Sequence, residues 1–360
     1  MPVRPILVLW VLFIVWMLIT TLFAFNTDWA FFQFTKVMKI QLLTFITIML
    51  IRNKEQLDVL IWVIVGSIGF YSIKGGVFTI LTAGNSRVWG PPGGFIEENN
   101  SLALATLMVI PLMIYLYKTS RRNIVKLALS GAIVLSIISA IGSQSRGALV
   151  SIVVVAGFFW LKSRQKLLSG IAILVFAVAG WSFMPQSWHD RMDTISNYEE
   201  DGSAMGRINA WYYSFNLAND RFTGGGFESW SPETFRIYAP NPDNWAAAHS
   251  IFFGVLGDHG WPGLLLFLMI LYLTWRSLSK IIRLKTSDGT QGENQFLARM
   301  IQVSFIAYCS GGAFLSLSYF DLPWHLIAIT YILHHRLMLE PDTAKTDFLK
   351  PKSPKFSGFQ

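Results

Sequence analysis

Ten apolar runs, each approaching or reaching the length of a bilayer crossing, dictate what this chain can become. They fall at roughly 6–25, 35–51, 59–82, 101–117, 125–142, 147–161, 167–183, 258–275, 297–318 and 323–339. A helix needs about 20 apolar residues to cross the hydrocarbon layer. The second, sixth and seventh runs are short or have polar ends, so their limits are soft by several residues. Charged residues make up 14% of the chain, against about 25% in soluble domains. The expected fold is therefore an all-α polytopic membrane protein, with about ten transmembrane helices and one long, partly helical extracytoplasmic loop. The first run, Ile6 to Phe25, is too long for a signal-peptide core and lacks a small-residue cleavage site after it, so it reads as a retained anchor. The single cysteine, Cys309, lies inside an apolar run, which leaves no internal disulfide, CxxC metal site or redox pair.

Orientation follows from the Lys/Arg bias of short loops. With the amino terminus cytoplasmic, clusters such as Lys118/Arg121/Arg122/Lys126 and Arg276/Lys280/Arg283/Lys285 fall on one side. Nine of the 29 bases remain outside: Lys36, Lys39, Lys74, Arg87, Arg146, Arg191, Arg207, Arg221 and Arg236. The net charge of +8 is thus spread as a topology signal, and no nucleic-acid partner is expected. The same alternation places the longest polar stretch outside. The expected organisation is a first bundle of about seven helices over 1–183, an extracytoplasmic loop over 184–257, three last membrane helices over 258–339 and a basic cytoplasmic tail over 340–360.

Within the long loop, Ser203 can cap a helix in which Met205, Ile208, Trp211 and Phe215 recur at helical spacing. Ser231 followed by Pro232 starts a second short helix. Asn244 can cap a third, running through His249 to Phe253. Each has one apolar face and little mass for a core, which suits helices lying on the membrane surface as a lid. A second outer segment, Gly84–Asn100, is too rich in Gly and Pro to be helical through Gly94.

Six of the nine outer bases are arginine. The planar, always-charged guanidinium matches phosphate geometry where lysine offers only a point charge. Arg146 sits in a turn between two apolar runs with no neighbouring acid, which fits either an anion site or snorkelling to headgroups. Arg207 falls near the start of the first loop helix, where a base opposes the helix dipole and a bound anion would explain it. Arg221, Arg191 and Arg236 stand among carboxylates and fit surface ion pairs equally well. His249 lies where the loop meets an apolar run and could serve as a general base; His189 and His259 are nearby alternatives. Glu97 and Glu98 could orient an acceptor or cap the helix from Ser101. The candidate catalytic residues are accordingly His249, Arg207 and Arg146, with Arg87, Glu97, Glu98 and Arg221 as candidate substrate-binding residues. Glu199-Glu200-Asp201 lacks ligand spacing with any histidine, and the chain contains no DxD pair, HExxH, G-x-S-x-G elbow or P-loop. Neither a metal nor a cofactor is expected.

GSQSRGAL, then GRINAW inside a long outer loop, then AAHSIFFGVLGDHGWPGLLLF, resemble the O-antigen ligase and polymerase superfamily. With VMKIQLLTFITIMLIR, KGGVFTILTAGNSRVWGPPGGFIEENN, YEEDGSAMGRINAW and GGGFE, the likeness extends from about residue 15 to 285. It is closest to the branch of O-glycosylation ligases found with exosortase systems. The resemblance implies transfer of a preassembled glycan from an undecaprenyl-pyrophosphate donor to a protein or glycolipid acceptor, without metal or nucleotide. The enzyme would sit in the bacterial inner membrane with loop 184–257 periplasmic. In this family the arginine of the SRG turn, here Arg146, and that of the loop GR motif, here Arg207, would bind the diphosphate, and His249 would serve the acceptor. Members usually carry further membrane helices before the segment that starts here at Pro5, so a chain shortened at its amino end is expected. A polysaccharide polymerase using the same donor is the near alternative. A lipid-linked glycan transporter is the distant one, because charges gather at the outer rim and no internal repeat is visible.

Overall fold

The computed structural model describes residues 4–162, 165–193, 202–284 and 292–339. Thirteen helices occupy them, with no strand among the described residues. The amino-terminal half runs α1 (Arg4–Leu22), α2 (Thr27–Leu50), α3 (Lys54–Leu81), α4 (Asn99–Thr119), α5 (Asn123–Gly142), α6 (Arg146–Lys162) and α7 (Lys166–Phe183). Three shorter elements follow in the long polar loop, α8 (Gln186–Asp193), α9 (Gly202–Asp220) and α10 (Pro232–Tyr238). The chain closes with α11 (Ile251–Arg283), α12 (Glu293–Gly312) and α13 (Asp321–Leu339). A helix lies at each of the ten apolar runs, which makes this an all-α polytopic membrane protein. Among the described residues seven helices, α1 to α5, α7 and α11, are long and apolar enough to cross a bilayer, while α6 is apolar but shorter. The tail over 340–360 and the acidic run at 199–201 lie outside the described residues.

Helix α4 is the hub, packed against α3, α5, α6 and α12. Its buried residues include Asn99, Ser101, Thr106 and Pro111 beside leucines and alanines. Small residues let helices approach closely where lipid supplies no hydrophobic drive. At Gly76, for instance, a Cβ would stand 2.1 Å from the carbonyl oxygen of Leu135, so α3 and α5 meet backbone to backbone there. Buried polar groups are paired across helices: the Trp10 indole N–H donates to Gln41 at 2.6 Å and the Ser304 hydroxyl to the carbonyl of Met108 at 2.6 Å.

Two elements differ from the expectation. The long helix α11 starts at Ile251, well before the apolar run at 258, and kinks at Gly260, whose φ of 63° and ψ of −172° are non-helical. A side chain at Gly260 would meet the carbonyl oxygen of Phe222 at 2.3 Å, so glycine is required on both grounds. The predicted third loop helix, capped by Asn244, does not form. Residues 241–250 run instead as a non-helical strap over α9. The carboxamide of Asn209 donates to the carbonyls of Asn241 (2.8 Å) and Asn244 (3.0 Å), and Trp211 Nε1 donates to that of Ala248 (2.8 Å). Those carbonyls are thereby satisfied without a helical ladder. Ser250 then caps α11, its hydroxyl accepting from the N–H groups of Phe252 and Phe253. The second loop helix forms as its sequence indicates, with a reciprocal capping box between Ser231 and Thr234 and Pro232 in the first turn. Helix α9 packs on α11 and shares a small core with α10, in which Tyr213 stacks on Phe235 at 4.3 Å.

Candidate active site

Three loops converge at one end of the bundle. The turn between α5 and α6 is built by polar side chains that hold it open rather than collapsed. Asn99 donates to the carbonyl of Ser143 (2.7 Å), and Gln144, at a left-handed φ of 54°, donates through Nε2 to the carbonyl of Gly84 (2.9 Å). Ser145 then caps α6, accepting from the N–H of Ala148 at 3.1 Å. Arg146 follows as the first residue of α6, at the positive end of the helix dipole. The helix dipole and the guanidinium both concentrate positive potential at that spot, which is the chemistry of an anion site.

Helix α9 brings the second guanidinium. Arg207 lies beyond the first turn, because α9 starts at Gly202, ahead of the expected cap at Ser203. Arg146 and Arg207 line one small cavity together with Asn100, Ser145, Gly147, Phe314 and Leu315. Arg207 Nε is buried and has no hydrogen-bond partner among the described residues. Burial, first, and the Arg146 charge, second, lower the pKa of Arg207, with Glu98 pulling the other way. A guanidinium stays protonated regardless, so what the shift expresses is a cation held in a place where cations are destabilised. An anion in the cavity would reverse that penalty.

The same helix fixes the histidine. Through its bond to the carbonyl of Ala248, Trp211 holds the strap where it enters His249, and its ring stacks on Phe253 at 5.1 Å. His249 itself has a φ of 42°. For a residue with a Cβ this conformation costs about 1–3 kcal/mol and survives only where surroundings impose it. Burial, then the charge of Arg207, depress the imidazole pKa below its usual 6.5, with Glu98 opposing. At neutral pH the ring is therefore an uncharged proton acceptor.

Of the sequence candidates, then, Arg146, Arg207 and His249 come together, and Glu98 acts on two of them from the exposed start of α4. Glu98 occupies the cap position of α4 without a capping hydrogen bond from its side chain. Glu97 builds its own loop, its carboxylate accepting from Gly93 N–H at 2.7 Å. Arg87 is exposed on that loop. Arg221 belongs elsewhere: it donates to the carbonyl of Phe23 at 2.6 Å and covers the ring of Phe25 at 4.1 Å, clasping the turn between α1 and α2. Of the alternative histidines, His189 packs against Trp181 and Trp188, and His259 is buried, with Nδ1 at 2.7 Å from the Thr20 hydroxyl. Sequence reasoning missed Asn100, Asn209 and Trp211. The last two lie inside the GRINAW motif, where helical spacing from Arg207 would have put Trp211 four residues on, on the same face. Among the described residues no group of three or more His, Cys, Asp or Glu side chains is placed to hold a metal ion.

Residues 131–268 match the family model described as O-antigen ligase, and residues 2–121 match a family of unknown function. No curated protein matches the chain. The segment that matches the O-antigen ligase model contains Arg146, Arg207 and His249.

Proposed function

We propose that this chain is a glycosyltransferase of the inner membrane. It would move a preassembled glycan from undecaprenyl pyrophosphate to an acceptor hydroxyl at the periplasmic face, without a metal ion. The match to O-antigen ligases supports a membrane ligase or polymerase type of role. The observation that carries the finer reading is the shared cavity of Arg146 and Arg207, at a capped helix amino terminus, with a neutral histidine whose charge state answers to Arg207. The motif set of the exosortase-associated branch favours that branch for the donor and acceptor chemistry.

In this reading His249 takes the proton of the acceptor hydroxyl as its oxygen attacks the anomeric carbon of the donor sugar. The bond from that carbon to the diphosphate oxygen breaks, and the electron pair leaves with the lipid diphosphate. The two guanidiniums and the α6 amino terminus stabilise charge where it grows, in a site already organised for it. A depressed imidazole pKa keeps the base unprotonated through neutral pH.

The test is transfer in proteoliposomes from an undecaprenyl-pyrophosphate oligosaccharide to candidate acceptors. Arg146→Ala, Arg207→Ala and His249→Ala should each insert normally and lose transfer. Wild-type transfer by a correctly inserted His249→Ala protein would end the base assignment. Lipid movement across the bilayer with no glycosylated product from any acceptor would replace the enzyme by a transporter.

A further inference from the structure

Helix α9 turns an uncharged stripe outward. Met205, Ile208, Tyr212, Phe215, Asn219 and, just past the helix end, Phe222 recur at the three-to-four spacing of one helix face. Met205, Tyr212, Phe215 and Phe222 are exposed, Phe222 at 71%. The opposite face is buried through Gly206, Ala210, Leu217 and Ala218. A helix on the surface of a soluble body is polar or charged on its outward face, whereas one apolar all round is enclosed by protein or lipid. An apolar partner therefore covers the stripe.

The neighbouring helices identify it. Helix α9 runs antiparallel to the first part of α11: Trp211 stacks on Phe253, Ser214 lies against Gly257, and Asn219 accepts from Trp261 Nε1 at 2.9 Å. From Trp261 the apolar surface continues down α11, where Trp261, Leu265, Leu268 and Tyr272 are exposed along one face. Helix α11 is apolar enough to cross a bilayer, and this row is its lipid face. The row is too short for the crossing. It ends at the exposed Arg276, fifteen residues after Trp261. At the helical rise that is about 22 Å, against about 30 Å of hydrocarbon. The missing layer of about 8 Å lies beyond Trp261. There α11 is buried or half-buried with α9 packed on it, so the outward surface is the stripe of α9.

Helix α1 supplies a second depth mark. Phe222 meets Trp16 edge-on at 5.6 Å. Trp16 lies six residues short of the end of α1 at Leu22, about 9 Å along the axis. The turns between carry exposed apolar side chains at Leu18 and Leu22, and Phe23 follows. Arg221 goes the other way, to the carbonyl of Phe23 and the ring of Phe25 at the head of α1. A guanidinium carried up to the turn beside a ring carried down the helix is the behaviour of adjacent residues at a membrane boundary. Both marks put the hydrocarbon about 8–9 Å past the level of Trp16 and Trp261.

We infer that the Phe222 end of α9 is inserted in the leaflet on the side of the long loop, with lipid acyl chains as the partner of its outward stripe. The helix enters at an angle. Phe222 is deepest, Phe215 and Tyr212 approach the headgroups, and Met205 stands toward water. This differs from the loop helices resting flat on the surface that the sequence suggests, because α9 follows the axis of α11 and not the membrane plane. The inserted end also sets the height of Arg207, fifteen residues earlier in the chain, above the lipid. The inference does not depend on the transfer reading.

Nitroxide labels on single cysteines measure the depth, with the full chain in liposomes of phosphatidylethanolamine and phosphatidylglycerol. Cys309→Ala clears the background. Phe222→Cys, Phe215→Cys, Tyr212→Cys and Met205→Cys carry the labels, with Leu265→Cys as the lipid reference and Asp243→Cys as the water reference. Collision with oxygen, which concentrates in lipid, and with a water-soluble nickel chelate reports each depth. The Phe222 label should lose contact with nickel as the Leu265 label does, and contact should return through Phe215 and Tyr212 to Met205. The Phe222 and Tyr212 labels should differ in depth by about 10–15 Å, the rise of the helix between them. Nickel contact at Phe222 equal to that at Asp243 would overturn the insertion. Equal depth of all four labels would overturn the angled entry. Protection of Phe222 from oxygen and nickel alike would mean that protein, such as a second copy of the chain, covers the stripe, and would overturn lipid as its partner. If Phe222→Cys misfolds, the order of Phe215, Tyr212 and Met205 carries the same decision.

Discussion

Two cavities at one end of the bundle differ in the charge that lines them. The smaller gathers Arg146, Arg207 and a helix amino terminus; the larger mixes Lys36 with Glu228 and Asp258 among serine hydroxyls and aromatic rings. The difference teaches that the charge lining neighbouring pockets can change over a few residues. One turn, 314–319, gives Phe314 and Leu315 to the smaller cavity and Ser316, Ser318 and Tyr319 to the larger, and the strap gives the larger Ala246–Ala248. Each segment has a side-chain anchor, Trp211 on Ala248 and Ser318 on Ile251.

The sharpest way to probe the smaller cavity is at the histidine that Arg207 acts on. His249→Ala should lower kcat by about 10²–10⁴, the range for losing a positioned general base, with little change in the KM of the donor. Steady-state transfer kinetics decide it. Next comes the cationic side: Arg146→Ala or Arg207→Ala should lower kcat by about 10²–10³, as for other preorganised charge stabilisers, and raise the donor KM. Arg207→Lys should recover only part, since a point charge replaces a fork.

Smaller effects test positioning. Trp211→Phe keeps the ring against Phe253 but removes the hydrogen bond to Ala248, worth about 0.5–1.5 kcal/mol. It should lower transfer by up to about tenfold, and the acid limb of the pH profile should shift because His249 is no longer held in place beside Arg207. Arg221→Ala breaks the clasp on the α1–α2 turn and should lower the unfolding midpoint without altering the donor KM. Equal loss of donor binding would return Arg221 to the site.

The smallest effect concerns pH. Burial and Arg207 hold the His249 pKa below 6.5, and Glu98 opposes them. Activity should therefore persist at pH 6.5 and fall as pH drops through the lowered value, where the base becomes protonated. Glu98→Gln removes the influence that raises the pKa, so the acid limb should move to still lower pH. A limb moving to higher pH would mean that Glu98 does not act on His249 through its charge.

Much of this site was legible in residue order, yet its geometry was not. The SRG turn and the GR helix singled out Arg146 and Arg207 because bases on the outer rim are costly without a purpose. Nothing in the residues said that the two line one cavity, since they are sixty-one positions apart. The expected helix from Asn244 failed for a related reason. Helix propensity is local, whereas the carbonyls of Asn241, Asn244 and Ala248 are satisfied by side chains of α9. Arg221 misled in the other direction: its type suited phosphate, but a backbone carbonyl and an aromatic face take it up.

By itself the sequence determined the membrane class, the ten helical runs and the residues able to carry chemistry, because hydropathy and charge type are written residue by residue. It did not determine which helices form the interior. Helices α4 and α7 are both apolar enough to span, yet α4 is buried along most of its length and α7 not at all. Lipid tails are as apolar as leucine, so hydrophobicity cannot tell a neighbouring helix from the bilayer. Only close packing through small residues and paired polar groups makes that choice. The same packing brought Arg146 of α6 and Arg207 of α9 to one cavity, which exists only once the helices have met.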